Sequence, residues 1–172
     1  MRGCACRGTA GFVHVSCLAE QAKILVAEAE ENNKDSQWHR WQKCSLCKQM
    51  YHGVVHCALG WACWKTYLGR ADDETRINAM RQLGNGLSDG KHDEEALSVR
   101  ETELSLLRRI GAPRVPEDAM LCAQNNLAVS YQLIGLLEQA LSLRRDVYLG
   151  RLKLNGEAVS YTHLTLPTIC SV

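Results

Sequence analysis

Residues 95–100 read EALSVR, and residues 139–144 read QALSLR. The offset is 44 residues. Carried outward without a gap, it pairs Leu83 with Leu127, Gly84 with Ala128, Leu87 with Tyr131, Ala96 with Ala140 and Arg100 with Arg144. A fixed period of this length marks stacked supersecondary units. Each unit reads as two helices. Asp72 and Asp73 can cap a helix carrying Ile77, Met80, Leu83 and Leu87, and Asp93 one carrying Ala96, Leu97, Leu104 and Leu107. The segment GAPRVP, residues 111–116, is rich in breakers and serves as the connector. The second pair is expected over 117–134 and 137–154.

Upstream of the repeat the composition changes, with a boundary near residues 69–75. Seven of the nine cysteines, Cys4, Cys6, Cys17, Cys44, Cys47, Cys57 and Cys63, fall in the first 63 residues. All four tryptophans, Trp38, Trp41, Trp61 and Trp64, fall there as well. No apolar signal segment precedes them, so a secreted disulfide framework is disfavoured and metal ligation is the better reading. No run is long and apolar enough for a membrane span. The net charge of +1 on 172 residues argues against a nucleic-acid surface built on bulk basicity. These features point to a cytoplasmic, or nuclear, chain.

The cysteine spacing carries chemistry. Cys4-x-Cys6 and Cys44-x2-Cys47 are short knuckles, each able to present two thiolates to one ion from a single turn. Zinc takes four such ligands in a tetrahedron, at about 2.3 Å for sulfur. His14-x2-Cys17 would be half of a second site. His52, His56, Cys57 and Cys63 are alternative ligands. Cys57, Trp61 and Trp64 read more simply as one face of a helix packed on the cysteine module, and His39 as solvent-exposed.

A helix is expected from Val15 to Glu31, because Val15, Leu18, Ala22, Leu25, Val26 and Ala29 fall on a 3.6-residue stripe. The run Asn32-Asn33-Lys34-Asp35 ends it. Trp38 to Met50 is expected to hold the second knuckle in a loop, and a further helix to run from about Val54 to Leu68.

In order and context, Cys4, Cys6, His14, Cys17, Cys44 and Cys47 resemble six of the eight ligands of the RING-CH (RING-variant) zinc finger. The segment Arg7 to His14, Leu18, and Trp41 three residues before Cys44 match its flanks. The resemblance covers roughly residues 2–68. It implies a cross-brace in which Cys4, Cys6, Cys44 and Cys47 share one zinc, so one site is complete. His14 and Cys17 would share the other with an upstream Cys-x2-Cys. Only Met1-Arg2-Gly3 precede Cys4, so the chain is expected to lack that knuckle and to be an N-terminal truncation.

The second helix pair, with Asn125-Asn126-Leu127-Ala128-Val129-Ser130-Tyr131, Gly135 and Ala140, resembles a tetratricopeptide repeat of the kinesin-light-chain-like kind. Ala128, Gly135 and Ala140 would sit where its helices approach closely, with Leu127 and Tyr131 filling between them. The resemblance implies a concave groove for a peptide or protein, lined by Asn85, Asn126 and Ser130. About three repeats usually make a stable array, so two read as a stretch of a longer one. Residues 158–168, AVSYTHLTLPT, resemble the in-frame translation of a transposase sequencing adapter, and 158–172 are read as a non-native tail.

The expectation is therefore mainly α. A small zinc-stabilised RING-like module over 1–69 precedes antiparallel helix-pair repeats over 72–157, an α-solenoid fragment. Resemblance implies an E3 ubiquitin ligase of adaptor type with no catalytic nucleophile. It would dock a ubiquitin-conjugating enzyme on Leu46, Trp38 and Trp41 and recruit partners through its repeats. The alternative is a non-enzymatic zinc and repeat scaffold.

Overall fold

The computed structural model describes residues 4, 13–32, 37–70, 73–111 and 113–155. The tail over 158–172 and Cys6 lie outside them. The described residues form six α-helices: α1 (Val15–Glu31), α2 (Gly53–Tyr67), α3 (Asp73–Asp89), α4 (Asp93–Ile110), α5 (Glu117–Leu133) and α6 (Leu137–Asn155). A 3-10 turn, Trp38–Trp41, stands between α1 and α2. The expected helices thus form within a residue or two of their expected ends. None of the six is long and apolar enough to cross a membrane.

The chain divides into two compact units at His92/Asp93. In the first, α1 buries Ala22, Val26 and Ala29 on one stripe. Its N-cap, His14, offers its carbonyl to the amides of Cys17 and Leu18. Its C-cap, Asn32, donates through Nδ2 to the Glu28 carbonyl. Helix α2 is apolar on nearly every side and is covered on several: it packs on α1, on the 3-10 turn and, most extensively, along α3. Trp38, Trp41 and Tyr67 form an aromatic core with Ala22, Val26, Cys63 and Ala79. The Trp38 and Tyr67 rings lie 4.8 Å apart, and Trp41 meets Tyr67 edge-on at 6.1 Å. Burial pushes the Tyr67 hydroxyl up to about 12, and it pushes the Cys63 thiol well up.

Two glycines permit the α2–α3 contact. A Cβ on Gly60 would stand 2.9 Å from the Gln82 carbonyl oxygen, and one on Gly86 would stand 2.7 Å from that of His56. Each helix thus lays bare backbone against the other. The repeat register groups α3 with α4, whereas close packing places α3 in the compact unit of α2. The compositional boundary at 69–75 therefore falls inside the first unit.

In the second unit α5 packs against both α4 and α6. Acidic Asp93, Glu94 and Glu95 open α4, and Arg108 and Arg109 close it, each complementing the helix dipole. Ala128 and Ala140 are buried at the α5–α6 hairpin, as their small size suggests. At Gly150 a Cβ would meet Leu121 at 2.5 Å, so this glycine is a further close approach. Gly135 has open space around it; its φ of +85°, rather than crowding, calls for glycine. Leu127 is buried, and Tyr131 reaches α4, donating its hydroxyl to Glu101 at 3.0 Å.

Candidate metal centre

The second knuckle is a tight reversal. Lys43 and Met50 form an antiparallel bridge. The Cys44 amide donates to the Gln49 carbonyl at 2.9 Å, the Lys48 amide to the Cys44 carbonyl at 3.0 Å, and the Tyr51 amide to the Gln42 carbonyl at 2.7 Å. Lys48 adopts a φ of +61°, which turns the chain back directly after Cys47. Cys44 and Cys47 consequently face one side, and Leu46 stands at the tip with 65% of its surface exposed.

Cys4 meets this knuckle from far along the chain. Its sulfur and those of Cys44 and Cys47 all lie within 4.8 Å of one another. Around a tetrahedral ion with metal–sulfur bonds of about 2.3 Å, thiolates sit about 3.8 Å apart. The three sulfurs are therefore close to a metal-binding arrangement. Cys44 is buried, and Cys4 and Cys47 are half-buried. Tyr51, Val55 and Leu59 pack with Cys44, while Val15, Leu18 and Ala19 of α1 border the cluster. The floor under the thiols thus comes from the first turns of both α1 and α2. Tyr51 hydrogen-bonds to Cys44; burial first, and then the neighbouring Cys44 and Cys4 thiols, push its hydroxyl far above the phenol range.

The remaining sequence-derived site residues are placed as follows. His14 and Cys17 lie at the exposed N-terminus of α1 and are not in the three-thiol group. Trp38 and Trp41 are 6% and 1% exposed, so they are core side chains and not part of an open docking face. The reason is physical: two indoles are the largest apolar area available to seal α1 against α2. His39 is half-buried in the same turn. Cys57 is buried beside Gly86 and Gly90 of the α3 end, Trp64 is half-buried on the aromatic core, and Trp61 is exposed. The three do not act as one packed face.

Asn85, Asn126 and Ser130 are all buried. Arg100 Nη1 donates to the Asn126 carbonyl at 2.9 Å and to Ser130 Oγ at 2.7 Å. Asn126 and Ser130 therefore tie α4 to α5 within their unit and do not line a solvent-open groove. Arg100 is held down to about 10 by burial, against the opposing pull of Glu103 and Asp93.

Sequence reasoning missed Tyr51, which sits four residues after Cys47 with no ligand spacing of its own. It also missed the pair of His56 and Asp89. His56 Nδ1 lies 3.4 Å from Asp89 Oδ2, across from α2 to α3, and the same carboxylate accepts from the Gly53 amide. His56, an alternative metal ligand by sequence, is buried and pairs with Asp89 of α3. No protein-family model, curated protein or solved structure matches the chain.

Proposed function

We propose that this chain is a zinc-binding protein-interaction protein of the RING-CH kind, an adaptor that docks a ubiquitin-conjugating enzyme and recruits partners through its helical repeats. The observation that carries the metal part is the convergence of Cys4, Cys44 and Cys47 sulfurs within 4.8 Å from segments 40 residues apart. Thiolates suit zinc, and Cys6 is the expected fourth ligand. An ion held by four thiolates has no open position, so its part is to fix the fold and not to activate water or substrate. Ligation by Cys44 and Cys47 would hold the Leu46 loop in a fixed shape, and Leu46, with Met50 and Val54 exposed beyond it in sequence, supplies apolar docking area.

The burial of Trp38 and Trp41 favours a second reading. With those rings in the core, less apolar surface is left for a conjugating enzyme, as a non-enzymatic zinc and repeat scaffold would have it. An autoubiquitination assay separates the two. Ligase activity lost in Cys44→Ser supports the first, and activity that survives Cys44→Ser sinks it. Zinc content tests the ion: one zinc per chain is expected, falling to none in Cys44→Ser. A chain purified at neutral pH under reducing conditions without zinc would end the metal reading.

A further inference from the structure

Of the three converging thiols, Cys44 has the least access to water. Cys4 and Cys47 are half-buried, whereas Cys44 is buried and packs with Tyr51, Val55 and Leu59. A thiolate keeps lone pairs after it binds a metal, and charge that water does not reach has to be met by a donor of the protein. Two backbone amides of the knuckle have other work: the Lys48 amide donates to the Cys44 carbonyl, and the Cys44 amide to the Gln49 carbonyl. The Tyr51 side chain supplies a donor, because its hydroxyl hydrogen-bonds to Cys44. The phenol is held there from two sides. Its own amide donates to the Gln42 carbonyl at 2.7 Å, one residue beyond the Lys43–Met50 bridge. Its ring is buried with Val55 and Leu59, from the first turns of α2.

A phenylalanine would fill the same apolar floor without bringing a polar atom into it. What the hydroxyl adds depends on the state of the sulfur. A neutral thiol is a weak acceptor. A thiolate is a charged one, and a hydrogen bond to a charged group is roughly twice as strong as a neutral one. The bond is therefore stronger to a metal-bound sulfur than to the free thiol, so it favours the loaded state over the empty one. It also aims the Cys44 side chain, since the donor is fixed by the Gln42 carbonyl and by α2. We propose that Tyr51 is a positioning residue of the metal centre: its hydroxyl donates to the Cys44 sulfur, fixes that ligand, and sets how tightly the thiols retain their ion. This role rests on the reading of Cys4, Cys44 and Cys47 as metal ligands. It requires no ligase activity.

Cobalt(II) is the probe, because its charge-transfer absorption with sulfur reports the electron density on the thiolates. In the reduced full chain, Tyr51→Phe is expected to weaken cobalt and zinc binding about tenfold in competition with a chelator. It should also move the sulfur-to-cobalt band to lower energy, since a sulfur relieved of a hydrogen-bond donor gives up its electron more readily. Helix content by circular dichroism should match the wild type. Val55→Ala loosens the same floor but keeps the donor, so its band should stay where the wild type has it. Unchanged affinity and an unchanged band in Tyr51→Phe overturn the proposal and leave the metal reading standing. A Val55→Ala band displaced as far also overturns it, because packing alone would then account for the shift, and so does a Tyr51→Phe chain that loses its helices. A wild type that takes up neither ion overturns the metal reading, and the proposal with it.

Discussion

The two units are both built from packed helices but hold them together by different means. In the first, α2 and α3 touch backbone to backbone through Gly60 and Gly86, and the short knuckle shares a small core with the first turns of α1 and α2. In the second, α4 carries balanced end charges, and a buried arginine network ties it to α5. A unit that relies on close approach and converging thiols concentrates its sensitivity at a few positions. A hairpin stack spreads its stability along whole helix faces. The first unit should therefore fail at single atoms, and the second by loss of a network.

Metal removal gives the largest contrast. On the proposed zinc reading, the ion would supply on the order of 10 kcal/mol to the module. Chelation, or Cys44→Ser, is expected to abolish hydrogen-exchange protection in α1 and α2 and the near-ultraviolet signal of Trp38, Trp41 and Tyr67. Protection in α4–α6 should persist. Equal loss in both units would erase the distinction.

Arg100→Met breaks the second unit instead. It leaves the buried Glu103 and the Asn126 carbonyl without their cation, and removing one partner of a buried charged network costs about 3–5 kcal/mol. Denaturant unfolding should show that loss in α4–α6, with the first unit unmoved. A cost under about 1 kcal/mol, typical of exposed pairs, would mean that the network is solvated.

Gly86→Ala should cost the first unit about 1–3 kcal/mol, because its Cβ would press on the His56 backbone and force the helices apart. This is so although alanine is the better helix former by roughly 1 kcal/mol. Gly135→Ala is the matching test of the second unit. It meets no atom, and its cost is the roughly 1–2 kcal/mol of a left-handed alanine. Stabilisation by Gly86→Ala would show that the helices can part at this crossing without cost.

These glycines also mark where the sequence stops being legible. Helix ends were readable because breakers act locally, as in the connector over 111–116; Gly135, read as a close approach, instead supplies the left-handed turn between α5 and α6. The thiol cluster was readable because short cysteine spacing constrains ligand geometry. The partner of α3 was not, since Gly60 and Gly86 acquire meaning only when two distant helices cross. Nor was the fate of Trp38, Trp41, Asn126 and Ser130. A tryptophan near a loop or an asparagine on a repeat helix is compatible with solvent or core, and only the packing around it decides.

A smaller effect separates the units by pH. Burial lowers the His56 pKa, with His52 pushing the same way and Asp89 opposing. The folded first unit thus holds His56 neutral more strongly than the unfolded chain does. Its contribution to stability is full above the unfolded value of about 6.5 and is lost as pH falls below it. Protonation would also leave Nε2, which has no partner, as a buried donor. The wild type should therefore lose more stability between neutral and mildly acidic pH than His56→Gln. Parallel pH profiles for the two would assign the whole loss to the thiols, and α4–α6 should follow neither.

The smallest expected change is a gain. Lys48 holds a φ of +61° at the reversal after Cys47, a conformation that costs an ordinary residue roughly 1–2 kcal/mol. Glycine adopts it freely but surrenders up to about 1 kcal/mol of extra chain entropy on folding. Lys48→Gly should thus stabilise the first unit by less than about 1 kcal/mol, seen as a higher denaturant midpoint. Lys48→Ala keeps the Cβ and the strain while removing the charge, so it should give no gain. If alanine matched glycine, the benefit would lie in the lost ammonium and not in the backbone. If neither helped, the left-handed conformation at Lys48 would cost the folded unit less than its φ implies.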